Sequence, residues 1–112
     1  LAGWTLNSSY ETIAWNSALT YDMIFTQPVV YEFQNISAPT LLIIGTRDRT
    51  ALGKNLVSDE VRKTMGLYDE LGKITQNRIP NAELVELSNI GHLPHIENFD
   101  GFISPLLNFL EK

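Results

Sequence analysis

Apolar positions along the chain fall into two kinds of pattern, stripes at helical spacing and short runs of β character. Over 9–25, Tyr10, Ile13, Ala14, Ser17, Tyr21, Ile24 and Phe25 recur every three or four residues, which predicts a helix. Ser8-Ser-Tyr-Glu11 has the S-x-x-E form of a capping box, in which hydroxyl and carboxylate each satisfy a free backbone N–H. Pro28 closes this helix. Trp15 and Met23 could line a pocket, but an aromatic on such a helix is expected in core packing. Residues 1–7, with Gly3 and Trp4, read as a loop, and 29–33 as a short connecting segment of β-like composition.

The run at 41–44, Leu-Leu-Ile-Ile, is unbroken rather than alternating. A strand apolar on both faces belongs in a sheet covered on both sides, so 40–46 predicts a strand of a parallel α/β core. Pro39 stands just before it, where no ladder N–H is needed, and Gly45 lets the chain turn at its end. Over 58–78, Val61, Met65, Tyr68, Leu71 and Ile74 form a second helical stripe. Gly66 and Gly72 each cost about 1 kcal/mol against Ala in a helix interior, so a break is expected near Gly66. Pro80-Asn81 ends the stripe, and 82–87 reads as a second strand. Strand, helix and strand make a βαβ unit, for which a right-handed crossover is expected. After the Ser88-Asn-Ile-Gly91 turn, Phe102, Ile103, Leu106, Leu107 and Leu110 give the face of a terminal helix. Pro105 lies inside that pattern, so the helix either kinks there or restarts with Ser104 as cap.

Composition changes this picture mainly by exclusion. A chain of 112 residues is one domain or part of one, and 44% apolar with 19% charged residues suits a packed core. A net charge of −5 argues against nucleic acid and anionic membrane as partners. The absence of Cys excludes disulfides and thiolate catalysis within these residues. No apolar run is long enough to span a bilayer. No repeat, low-complexity tract or linker stands out, and nothing calls for a cofactor. A first residue of Leu instead of Met suggests processing or truncation, and the compartment is not legible.

Two residues stand in matching positions. Asp48 follows the carboxyl end of the first predicted strand and His92 that of the second, each after a short Gly-containing turn. That edge of an α/β sheet is where ligands and chemistry collect. Alone, Asp48 is as readily a solvated turn residue between Arg47 and Arg49. If the strands are neighbours, about 5 Å apart, the carboxylate reaches the imidazole, fixes its tautomer and stabilises its protonated form. His92-x-x-His95 could present two ligands to a metal, but no third His exists. His95 is therefore expected at a rim or in packing, and serves as the fallback base. Glu97 reads as a solvated or capping residue. Asp59, Glu60, Asp69 and Glu70 read as an exposed helix face with i, i+4 partners.

Pro39-Thr-Leu-Leu-Ile-Ile-Gly-Thr-Arg-Asp48 and Gly91-His-Leu-Pro-His-Ile-Glu97 resemble the last two active-site segments of the α/β-hydrolase superfamily. There an acid follows the penultimate core strand and a Gly-His pair the last, in the chain order nucleophile, acid, histidine. The resemblance covers about 36–112, and 1–35 resembles the end of the cap region that often precedes the acid strand. It implies the C-terminal portion of an α/β-hydrolase sheet with flanking helices, incomplete on its own. It further implies Asp48 as triad acid and His92 as general base, with an ester or similar acyl compound as the small-molecule substrate. Neither a Gly-x-Ser-x-Gly elbow nor an oxyanion-hole loop occurs in the chain, and Asn98-Phe-Asp-Gly101 stands where the family often has Pro-Glu. A Ser nucleophile would mean an esterase-like enzyme, whereas Asp would mean a dehalogenase or epoxide hydrolase.

These readings carry expectations about partners. Two parallel strands leave both sheet edges unpaired. The chain is therefore expected with the N-terminal half of the same enzyme, self-associated, or within a longer protein, and inactive alone. The rival from another class is a non-catalytic hydrolase-like module for binding or assembly. A small flavodoxin-like domain lacks support, because no Gly-rich phosphate loop opens a helix.

Overall fold

The computed structural model describes residues 9–112, so the expected capping Ser8 and the loop at 1–7 lie outside the described residues. The chain divides between Glu32 and Phe33 into two compact units.

The first unit is built on α1, Tyr10–Thr26, with Ser9 at its N-cap position. Its boundaries follow the apolar spacing, but its burial does not. None of its residues is buried, and Trp15, expected in packing, is 67% exposed, with Met23 exposed as well. A single helix supplies no second layer against which an apolar stripe can be buried. The segment after Pro28 is a 3₁₀ helix, Val29–Asn35, in place of the β-like connection its composition suggests.

The second unit is an α/β layer structure. Strands β1, Thr40–Gly45, and β2, Ala82–Leu87, pair in parallel, with Thr40 opposite Ala82 and Gly45 opposite Leu87. Between them run a 3₁₀ turn, Lys54–Leu56, the short α2, Asp59–Arg62, and α3, Tyr68–Arg78. The helical stripe breaks where its glycine demanded, since Gly66 sits at φ +69° between α2 and α3. Ser58 caps α2, its hydroxyl accepting from the Val61 N–H. After β2 come α4, Pro94–Glu97, and α5, Phe99–Leu110.

Strand alternation puts Leu42, Ile44, Leu84 and Glu86 on one sheet face. Here α3 crosses so closely that a Cβ on Gly72 would press on Leu84 and Ile44, and Lys73 pairs with Glu86 at 3.5 Å. Glu83 on the opposite face pairs with Lys112, just past the end of α5. The expected restart at Ser104 does not occur. The last helix begins at Phe99, because the Asn98 side chain accepts from the Gly101 N–H and caps it, and Pro105 rides inside a continuous α5.

The core is thin. Ile79 and Asp48, at 5% and 6% exposure, are buried, while Leu41, Leu42, Ile43 and Ile44 are half-buried. A strand whose sequence suits full burial is covered only in part.

Candidate active site

The site is assembled by two turns at the carboxyl ends of β1 and β2. After β1 the chain closes tightly, the Asp48 N–H donating to the Gly45 carbonyl at 3.1 Å. The second turn is stitched to the first by backbone. Thr46 N–H donates to Leu87 O at 3.1 Å, and Arg47 N–H to Ile90 O at 2.9 Å. The approach is so close that a Cβ on Gly45 would fall on the carbonyl oxygens of Gly91 and Ile90.

This stitching brings the two sequence-predicted residues together. Asp48 Oδ2 lies 2.8 Å from His92 Nδ1, while Asp48 Oδ1 accepts from the Thr50 N–H at 2.8 Å. Burial alone would push the Asp48 carboxyl up. The hydrogen bonds from the His92 ring and from Thr50, with attraction to His92, outweigh burial and hold it below the usual aspartate value. An ionised carboxylate only accepts, so Nδ1 carries the imidazole proton. In the neutral form of the ring Nε2 then keeps a lone pair, and the side chain is 56% exposed. The arrangement can take a proton at Nε2 and stabilise the resulting imidazolium through Asp48.

An open cavity of about 210 Å³ adjoins the pair, lined by Ile43, Ile44, Gly45, Asp48, Tyr68, Gly91, His92 and Pro94. Tyr68, the first residue of α3, turns its ring edge-on to the His92 imidazole, with centroids 6.5 Å apart. Burial, and secondarily the Asp48 charge, push its phenol above the ordinary tyrosine value. Sequence reasoning placed Tyr68 in a helical stripe only.

Comparison with known proteins adds an independent line. The chain is similar to a probable hydrolytic enzyme of Pseudomonas aeruginosa PAO1, whose crystal structure superimposes with a TM-score of 0.89 at 49% identity. It is a partial match to a probable hydrolytic enzyme. The likeness covers 95% of this chain and 34% of that one, so the chain spans about a third of that enzyme's length. No family model and no curated protein matches the chain.

Other candidates fall elsewhere. His95, on α4, packs its ring against Phe102 of α5 at 5.8 Å and takes no part in the Asp48–His92 pair. Among the described residues no group of three His, Asp or Glu side chains could hold a metal ion, and no helix is long and apolar enough to cross a membrane. Asp69 does not find an i, i+4 partner. It pairs across the fold with Arg49 at 3.1 Å, just past the acid turn, which leaves Lys73 to Glu86. Glu97, read as solvated or capping, is exposed as expected but also has partners. It accepts from Arg47 Nη2 at 2.6 Å and from the Gly91 N–H at 3.0 Å, bridging the two turns.

Proposed function

We propose that Asp48 and His92 are the acid and general base of a nucleophile–histidine–acid triad in an α/β-hydrolase acting on an ester or similar acyl substrate. The observation that carries the proposal is the 2.8 Å contact between Asp48 Oδ2 and His92 Nδ1 beyond the ends of two adjacent parallel strands. The likeness to a probable hydrolytic enzyme supports it. In the reaction, His92 Nε2 takes a proton from the nucleophile as it attacks, then returns it to the leaving group. It next takes a proton from the hydrolytic water as that attacks the acyl-enzyme, and returns it to the nucleophile as the acyl bond breaks. Asp48 stays ionised, holding the ring in the Nδ1–H tautomer and offsetting the charge that Nε2 gains.

The nucleophile comes from a partner segment, the nucleophile-bearing part of the same enzyme, since no Gly-x-Ser-x-Gly elbow lies within these 112 residues. In this reading 36–112 is the C-terminal part of the hydrolase core and 1–35 the end of its cap region. The half-buried apolar strand β1 supports such a partner, because its sequence suits a covered, centrally placed strand.

A chimera tests the proposal. This chain replaces the matching third of the Pseudomonas enzyme, and turnover of a panel of p-nitrophenyl esters is measured against that enzyme. The chain alone is expected to be inactive and the chimera active, with His92→Ala and Asp48→Asn each lowering kcat by about 10⁴-fold. A folded chimera that is inactive, or one whose rate survives His92→Ala, overturns the proposal in favour of a binding module.

A further inference from the structure

The contacts of Glu97 join the two turns of the site. Its Oε2 accepts from Arg47 Nη2 at 2.6 Å and from the Gly91 N–H at 3.0 Å. Arg47 Nε in turn donates to the Asn89 carbonyl at 3.0 Å. Arg47 immediately precedes Asp48, and Gly91 immediately precedes His92. One carboxylate, reaching back from α4, thus holds the residue before the acid and the residue before the histidine. Asn89, in the left-handed region at φ +60°, closes the same junction by donating its N–H to Thr46 Oγ1 at 3.1 Å.

We infer that the Arg47–Glu97–Gly91 junction is a positioning device that sets the His92 imidazole against the Asp48 carboxylate. It deepens the reading of the pair as acid and base, and rests on that reading for its consequence in catalysis. The ion pair is largely exposed, Arg47 at 58%, and an exposed pair adds little to stability. Its consequence is geometric. The backbone bonds between the turns fix their approach, but none of them acts on the Gly91 N–H, the donor adjoining His92. Glu97 supplies that restraint. A slip of the His92 turn lengthens the contact between Nδ1 and Oδ2, and a small misplacement of a catalytic group costs rate out of proportion to its size.

The test reads the imidazole directly and needs no turnover. In the 112-residue chain, the His92 Nδ1 proton is observed by NMR, and its exchange with water is timed alongside the β1 and β2 backbone amides. Glu97→Ala is expected to speed Nδ1 proton exchange about tenfold while the strand amides hold their protection. Glu97→Gln, which keeps an acceptor for the Gly91 N–H, is expected to restore most of the slow exchange. Arg47→Ala is expected to move the rate in the same direction by a smaller factor. Unchanged exchange in both alanine variants overturns the inference. So does acceleration shared equally by the strand amides, which would make Glu97 a general stabiliser. Because no substrate is involved, an inactive chimera would sink the triad reading and leave this result standing.

Discussion

The two turns that make the site are built to opposite specifications. Beyond β1, Asp48 is buried, with one carboxylate oxygen bound by Thr50 and the other by His92. Beyond β2, His92 is more than half exposed and held through one ring nitrogen. The carboxylate is spent entirely inward, and the imidazole keeps one ring nitrogen outside the pair. The difference is what the proposed roles require, Asp48 as scaffold and His92 as tool. A group that orients needs a fixed place and a settled charge, while a group that moves protons needs an open face.

The contrast depends on the turns lying backbone against backbone, and the largest expected effect comes from forcing them apart. Gly45→Ala drives a methyl group onto the Gly91 and Ile90 carbonyl oxygens, which cannot swing aside as a side-chain tip would. A loss of about 3 kcal/mol in urea unfolding is expected, with disappearance of the slowly exchanging Nδ1 proton. A loss below about 1 kcal/mol would mean that the turns tolerate separation.

A smaller effect should separate acid from base by pH. The Asp48 carboxyl is held below the ordinary aspartate value, so the folded state binds its proton less readily than the unfolded chain. Its contribution to stability is therefore full above that value and fades as pH falls through the lower folded one. Asp48→Asn should cost about 2 kcal/mol at pH 7, from hydrogen bonds to a charged group. The gap to the parent chain should close as acid is added. Denaturant midpoints at a series of pH values from neutral to acid check this, and a gap that widens in acid would reverse the assignment.

Much of this contrast was legible before any coordinates. The unbroken run at 41–44 and the short run at 82–87 gave both strands, and a glycine near each run's end placed Asp48 and His92. Gly66 announced the break between α2 and α3, because a left-handed turn leaves few alternatives to glycine. What escaped was non-local or competitive. Nothing in local periodicity links Arg47 to Glu97, fifty residues apart, or Arg49 to Asp69. Asn98 and Ser104 both suit a helix cap, and the choice fell to Asn98 once Gly101 presented its N–H. The apolar stripe of α1 predicted a helix correctly but not its burial, since periodicity reports which face could be covered and not what covers it.

The smallest expected effect lies where the two turns share a neighbour. Tyr68 lines the cavity with both Asp48 and His92 and meets the imidazole edge-on. Tyr68→Phe keeps the ring and should leave stability within about 0.5 kcal/mol of the parent, because no hydrogen bond of the pair passes through the phenol. Tyr68→Ala removes the ring and should cost on the order of 1 kcal/mol for the aromatic contact, beyond what its lost apolar area costs. The two variants, compared by urea unfolding and by Nδ1 proton exchange, separate ring from hydroxyl. If the exposed face of His92 is steadied by packing, Ala speeds exchange and Phe does not. Equal effects from both would move the support to the phenol oxygen, and the open side of the pair would then be polar in character.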